Sequence, residues 1–229
     1  MMRAGIRLVA VAARGLGLGL LAACTAAQAL AADFGQERAS LDTRQVAEWI
    51  LEHGDNHAGD GQRLPYALLD KKDARVFVFH ADGTLIGAAP ALLGMGKGDI
   101  ALPGIGAREL SAIPPKDRVT QAGRFVAEVG ADTHGADVLW LDYEGGLAMH
   151  RVITTNLKER RLHRLATPTP LDNRISWGCI NLPVKFYEAV VRPVFTGTKG
   201  IVYVLPENSP PRAFFATRTS THSNERLMQ

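Results

Sequence analysis

Cysteine is almost absent from this sequence, whose 229 residues contain only Cys24 and Cys179. Two cysteines are too few for a disulfide framework or a cysteine-rich zinc site. Cys24 lies in an apolar N-terminal stretch, so a chain that loses this stretch keeps Cys179 without a partner. In an oxidising compartment, an odd cysteine forms a bridge to another chain or stays as a free reactive thiol.

Acidic residues are missing before Asp33, while three arginines precede the apolar run GLGLGLLAACTAAQALAA. The pattern predicts an export signal over residues 1–32, and the run is too short and too rich in glycine for a membrane span. Two processing routes stay open. Cleavage near Ala29 and Ala31, which the sequence favours, releases the chain into the periplasm or cell envelope. Lipidation of Cys24 in the box LAAC makes it a membrane-attached lipoprotein.

An excess of charge is also lacking once the leader is set aside. The chain has 26 Lys+Arg against 23 Asp+Glu, and removing the three leader arginines leaves 23 against 23. A near-neutral chain has no strong attraction for polyanions, so we expect no nucleic-acid partner.

Metal-binding patterns are absent as well. His53, Asp55, His57 and Asp60 crowd one polar loop, but their spacing matches neither a calcium loop nor a zinc site. Cys179 has no histidine at ligand spacing. We therefore expect no metal and no cofactor.

Short apolar or alternating runs separated by turn signals make up most of the chain from Tyr66 onward, and the first three predict a meander of hairpins. We predict a mainly β domain with a few helices, a sandwich or barrel, over residues 65–206. An N-terminal helix and loop occupy 33–64, and a flexible tail occupies 207–229.

Three segments predict helices. SLDTRQVAEWILEHG starts with a capping-box-like pair, Asp42 and Gln45, and ends at Gly54. NLKERRLHRLA can turn its three leucines inward with its charges outward. PVKFYEAVVRPVF begins with a proline that suits a first helical turn.

Cys179 has the surroundings of a nucleophile, although a buried small hydrophobe fits equally well on physical grounds. Gly178 permits a tight turn that brings backbone N–H groups, including that of Cys179, to a reacting carbonyl. Ser176 and Gly178 are small and leave room for substrate. A thiol also needs a base, and histidine has the suitable pKa.

His150 is the best candidate for that base, because it ends an apolar strand that would hold it rigidly. A strand-end histidine bonded only to backbone is the alternative. His163, in the arginine-rich helix, is the second choice and should face solvent.

These residues resemble a known family. SWGCIN is similar to the active-site signature of bacterial L,D-transpeptidases: Ser or Thr, a residue that is commonly His, Gly-Cys, an aliphatic residue, and Arg or Asn. AMH resembles the strand-borne histidine of that family, and TQAGRF resembles its T-P-x-G-x-F segment with Gln121 in place of proline. The resemblance spans roughly residues 65–206.

The resemblance implies a β-rich catalytic domain acting on peptidoglycan stem peptides in cell-wall biogenesis. Cys179 would attack a peptide carbonyl, His150 would relay the proton, and the thioester would pass to an amine or to water. Ser176 would support the site, and backbone N–H groups at Gly178 and Cys179 would hold the oxyanion.

The departures from the signature concern substrate binding. Trp177 replaces the common histidine and adds an aromatic wall, and Asn181 stands where many members have arginine. Arg174 is a candidate for the missing cation. Two alternatives stay open: a thiol amidase or carboxypeptidase that only hydrolyses wall peptides, and a non-catalytic envelope binding module on the same fold.

Overall fold

The computed structural model describes residues 31–217 of the chain. Cys24 and nearly all of the predicted export signal lie outside this range, as do His222 and the end of the predicted tail. No helix within the described range is both long and apolar enough to cross a membrane. This part of the protein is mostly sheet with a few helices, as the sequence predicts.

Helix α1 (Leu41–His53) buries the face that carries Val46 and Ile50. Its N-cap is Ser40, whose hydroxyl accepts the N–H of Thr43 at 3.1 Å, so the helix begins earlier than the pair Asp42 and Gln45 suggests. Serine and aspartate cap helices about equally well, and spacing alone does not choose between them. Gly54 ends the helix with φ +62°, as predicted.

The described residues form ten strands. Their bounds are β1 Tyr66–Asp70, β2 Arg75–Phe79, β3 Leu85–Pro90, β4 Leu93–Gly94, β5 Gly123–Ala131, β6 Asp137–Asp142, β7 Leu147–Arg151, β8 Arg174–Ser176, β9 Ile180–Leu182 and β10 Gly200–Val204. Eight of them form one sheet in the order β3-β2-β1-β10-β5-β6-β7-β9. Neighbours are antiparallel except β1 with β10 and β7 with β9, which are parallel. The predicted β1–β2–β3 meander is confirmed.

The sheet curls until its two edge strands are nearly joined. After β3 the chain crosses to β9, where Leu92 and Asn181 exchange two backbone hydrogen bonds of 2.9 Å. The small parallel pair β4–β8 continues this junction. The result is a barrel-like sheet with the β8–β9 turn at its seam.

Both faces of the central strands are covered, which explains their unbroken apolar runs. On the inner face lies a continuous helix made of α3 (Val184–Phe186), a π-helical turn (Tyr187–Val191) and α4 (Arg192–Phe195), which packs Tyr187, Val191 and Phe195 into the core. On the outer face, α1 covers Tyr66, Leu68 and Tyr203.

Residues 211–217 also cover the outer face. The sequence places them in a flexible tail, but they form a helical segment, and Phe215 is buried against Trp49 and Tyr203. Phe214 packs against the same cluster, so two neighbouring aromatic side chains dock a segment whose sequence has no clear periodicity.

The segment NLKERRLHRLA folds differently from its predicted helix. A 3₁₀ turn (Leu157–Glu159) precedes α2 (Arg161–Ala166), and Arg160 between them has φ +50°. Leu165 is buried as expected, but Leu157 and Leu162 are exposed. Arg161 turns inward in their place, because the left-handed residue rotates the face that α2 presents to the core.

Candidate active site

Cys179 lies in a tight turn between β8 and β9, at the seam of the barrel. The turn is closed by Ser176, whose Oγ donates to the carbonyl of Cys179 at 2.6 Å and accepts the N–H of Gly178 at 3.2 Å. Ser176 is buried, and its hydroxyl contacts only the backbone of this turn. It therefore shapes the loop that presents the thiol.

Gly178 is required by both its conformation and its surroundings. It has φ +135°, and a Cβ there would lie 3.1 Å from the carbonyl oxygen of Val119. Thr120 Oγ1 donates to the Gly178 carbonyl at 2.7 Å and accepts the N–H of Gly94 at 2.8 Å. This buried hydroxyl fixes the turn against the segment that precedes β5.

The thiol of Cys179 donates to the carbonyl of Gly146, 3.3 Å away in the β6–β7 turn. Burial raises the pKa of Cys179, and the N–H groups of Ala148 and Cys179 oppose this only in part. Near neutral pH the sulfur is therefore a protonated thiol.

His150 lies on β7 with its ring already oriented. Its Nδ1 is 2.7 Å from the carbonyl oxygen of Arg151, and because a carbonyl only accepts, Nδ1 carries the proton and Nε2 the lone pair. Burial lowers the pKa of His150, the hydrogen bond to Arg151 opposes this shift, and the charge of Arg161 adds to it. A neutral imidazole with a free Nε2 is the form that a general base needs.

The fold places Cys179 and His150 on neighbouring parallel strands. β7 pairs with β9, His150 is opposite Asn181, and Cys179 directly precedes β9. Within the described residues no hydrogen bond joins the thiol to the imidazole, because the thiol is held by Gly146. His163, the second choice for a base, is exposed on α2.

A cleft of about 100 Å³ opens above the sulfur. Its floor is Trp177, Gly178 and Cys179, one wall is the β6–β7 turn, and the other is the glycine-rich segment between β4 and β5, which contributes Ile105, Arg108 and Ile113 among others. Gly106 packs against Gly146, where a side chain on Gly106 would overlap the backbone of the turn. The glycine-rich segment therefore forms a wall of the site.

Trp177 forms part of this cleft, as its predicted role as an aromatic wall requires. The guanidinium of Arg118 stacks 3.4 Å from the ring centroid, and its Nε donates to the carbonyl of Ile113 at 2.9 Å. The stack ties the indole to the glycine-rich wall.

The other two predicted substrate ligands have different surroundings. Arg174 does not line the cleft; it forms an ion pair with Glu207 and donates to the carbonyl of Lys71 at 3.1 Å. Asn181 is buried, and its amide contacts Arg161, His150 and the carbonyl of Cys179. Asn181 thus lies beneath the site, and neither residue is exposed to a ligand in the cleft.

Sequence reasoning missed three residues that organise the site. Thr120 stands in the quoted segment TQAGRF, but nothing in the spacing shows that its hydroxyl reaches Gly178. Arg118 and Arg161 look like ordinary surface charges, and only their contacts with Trp177 and Asn181 reveal them.

No group of three or more His, Cys, Asp or Glu side chains within residues 31–217 is arranged to hold a metal ion. In the polar loop, His53 contacts the carbonyl of Trp49, and His57 accepts from Arg63.

No protein-family model matches the sequence. No curated protein matches it significantly either. Among solved structures, the NMR structure of the catalytic domain of the E. faecium L,D-transpeptidase is 17% identical over 62% of this chain and 96% of that one, with a TM-score of 0.36. An L,D-transpeptidase from Xylanimonas cellulosilytica is 14% identical over 69% of this chain and 68% of that one, with a TM-score of 0.36.

The helical cell shape determining protein of Campylobacter jejuni is 17% identical over 64% of this chain, with a TM-score of 0.38, and the match covers 48% of that protein. The chain also spans 51% of the protein in the Ldtfm–avibactam carbamoyl enzyme. L,D-transpeptidases are among the solved structures to which this chain is similar.

Proposed function

We propose that this protein is a cysteine-dependent acyltransferase of the cell envelope, an L,D-transpeptidase that acts on peptidoglycan stem peptides through a thioester on Cys179. The observation that carries the proposal is the arrangement of β7 and β9. A thiol lies in an open cleft and, on the adjacent strand, an imidazole donates its Nδ1–H to the carbonyl of Arg151, so that the lone pair on Nε2 can accept a proton.

The first step begins from a neutral pair. Cys179 turns from the Gly146 carbonyl toward His150, and Nε2 takes the thiol proton as the sulfur attacks the peptide carbonyl. A C–S bond forms, and collapse of the tetrahedral intermediate breaks the C–N bond to the terminal D-residue. The leaving amine takes the proton from His150. The released fragment is an amino acid, and the acyl group stays on sulfur as a thioester.

The second step regenerates the enzyme. An acceptor amine attacks the thioester, gives its proton to Nε2 and forms a new amide, while the sulfur leaves and is reprotonated. Water in place of the amine gives a trimmed peptide. Transfer and hydrolysis therefore use the same residues and differ only in the acceptor that enters the cleft.

The oxyanion is held by fewer donors than the sequence suggests. The N–H of Gly178 is occupied by Ser176 Oγ, so Gly178 contributes conformation. The N–H of Cys179, close to the sulfur, is the donor that we assign to the developing oxyanion.

Purified protein incubated with tetrapeptide muropeptides tests this function. We expect D-alanine release together with cross-linked dimers, or trimmed tripeptides if water is the acceptor. Cys179→Ala should abolish both. Arg63→Ala, at a half-buried residue of the polar loop outside the cleft, should retain both. Product formation by Cys179→Ala would overturn the assignment of the nucleophile.

A further inference from the structure

Arg161 is a buried cation directly beneath the proposed site. Its side chain is 9% exposed, and one of its terminal nitrogens donates to Asn181 Oδ1 at 2.7 Å. Its Nε pairs with Glu159, which keeps the guanidinium in one orientation. A buried arginine with both a carboxylate and an amide partner is a costly arrangement, which makes a specific role worth testing.

The backbone around Arg161 is built to deliver it. Arg160 has φ +50°, and Ala74 is the only other non-glycine residue with positive φ among residues 31–217. Arg164 stabilises the bend by donating to the carbonyls of Glu159 and Asp172. Left-handed conformations of non-glycine residues cost free energy. Here the left-handed conformation of Arg160 turns Arg161 toward the core.

The contact with Arg161 decides which way the Asn181 amide points. Because a guanidinium only donates, the side-chain oxygen of Asn181 must face it, and the amide nitrogen must face the opposite side. There Nδ2 lies 3.3 Å from the carbonyl oxygen of Cys179 and 3.5 Å from His150 Nε2. A single amide thus contacts both proposed catalytic residues.

The direction of these hydrogen bonds, from Arg161 to Asn181 and from Asn181 to His150, suits the proposed chemistry. The Nδ2–H of Asn181 points at the lone pair of neutral His150, which keeps Nε2 unprotonated and fixes its position until the thiol turns toward it. The charged groups that shift the pKa of His150 are Arg161 on α2, Asp132 in the β5–β6 turn and Arg151 on the same strand as His150.

We propose that Arg161 is a positioning residue for the Cys179–His150 pair, acting through the Asn181 amide. The segment of residues 156–172 between β7 and β8 then has a definite role, since it carries the guanidinium that orients the amide beneath the base. This inference rests on the proposed function for its catalytic consequence, but the orientation of Asn181 and the protonation of His150 can be measured without any substrate.

Two variants of the full chain test the proposal. Arg161→Gln removes the charge and the fixed donor, whereas Arg161→Lys keeps the charge and one donor. Lys158→Gln is the matched control, because it removes one positive charge from an exposed position in the same segment and leaves the bend at Arg160 intact. The readouts are the NMR titration of the His150 ring and the rate at which a carbapenem acylates Cys179.

We expect Arg161→Gln to raise the pKa of His150, because a neighbouring positive charge is lost. We also expect it to slow acylation about 10-fold or more, since misplacing a reacting group by about 1 Å lowers the rate up to 100-fold. Arg161→Lys should keep the His150 titration near that of the wild type and recover part of the rate. Lys158→Gln should leave the titration unchanged.

An unchanged titration and an unchanged acylation rate in Arg161→Gln would overturn the proposal. If Arg161→Gln does not fold, the Arg161→Lys variant decides. A folded Arg161→Lys protein that is acylated at the full wild-type rate would overturn the proposal, because the fixed contacts of the guanidinium would then be dispensable. If the wild type itself is not acylated, the proposed function fails, while the titration still decides the role of Arg161.

Discussion

The thiol of Cys179 donates its hydrogen bond to the carbonyl of Gly146, at 3.3 Å, and the imidazole of His150 is bonded through Nδ1 to the carbonyl of Arg151, at 2.7 Å. Each of the two groups is thus held by backbone. Burial favours the neutral form of both, so the resting site contains a thiol and a neutral imidazole rather than an ion pair. Activation then requires the thiol to leave the Gly146 carbonyl and turn toward His150.

The first prediction concerns the pH dependence of Cys179 alkylation by iodoacetamide. Burial raises the pKa of the Cys179 thiol, so the thiolate forms mainly above the usual cysteine pKa of about 8.5. The alkylation rate should therefore still increase with pH at that value. The rate is measured by mass spectrometry of the peptide containing Cys179, which separates it from Cys24. An inflection well below the usual range would indicate a preformed thiolate–imidazolium pair and contradict the neutral resting state.

The second prediction compares two glycines with nearly the same backbone. Gly178 and Gly98 have φ +135° and +134°, but a Cβ at Gly178 would lie 3.1 Å from Val119 O, whereas a Cβ at Gly98 would contact nothing within 4 Å. Gly178→Ala should therefore lower the free energy of unfolding by more than Gly98→Ala, for which we expect about 1–2 kcal/mol. Urea denaturation measures both.

The same pair of variants also tests the role of the β8–β9 turn in the site. Gly178→Ala should slow acylation of Cys179, because it shifts the turn that carries the thiol. Equal stability losses and equal acylation rates in the two variants would show that the approach of Val119 to Gly178 has no consequence.

The third prediction concerns Lys71, whose side chain is fully buried. Its ammonium donates to Asp99 at 2.9 Å, to the Gly98 carbonyl at 2.6 Å and to the Thr120 carbonyl at 3.0 Å, so it anchors both ends of the glycine-rich wall. Lys71→Ala removes the cation paired with Asp99, whose carboxylate then keeps only the N–H groups of Glu207 and Asn208, and should cost about 3–5 kcal/mol. Denaturant unfolding monitored by circular dichroism measures this loss.

The adjacent Lys72 provides the control for Lys71. It forms an exposed pair with Asp42, at 3.1 Å, and Lys72→Ala should cost at most about 1 kcal/mol. Similar losses for both lysines would mean that the buried network does not hold the wall of the cleft.

The features that sequence could predict are those with local signals. The hairpins after Tyr66 follow from alternating residues and turn signals, and α1 ends at Gly54 because only a left-handed residue satisfies its last carbonyls. The turn at Cys179 could be identified because Gly178 directly precedes the cysteine and Ser176 lies three residues before it.

The features that sequence could not predict depend on long-range pairing. Arg174 was assigned to substrate from its nearness to Cys179, but it pairs with Glu207, which the β10 strand brings beside it. Helical periodicity predicts that Arg161 faces solvent. It cannot predict the left-handed conformation of Arg160, which turns the Arg161 side of α2 toward the core. Hydrogen bonds from Thr120 and Lys71 to backbone carbonyls leave no mark in residue spacing.

The most direct test of the central claim is the intact mass of the purified protein after incubation with a carbapenem. Opening of the lactam by a thiol is an addition, so the account predicts a mass increase equal to one whole carbapenem, located by peptide mapping on Cys179 and lost in Cys179→Ala. A protein whose Cys179 reacts with iodoacetamide but gains no carbapenem mass would contradict the assignment of Cys179 as an acyl-forming nucleophile.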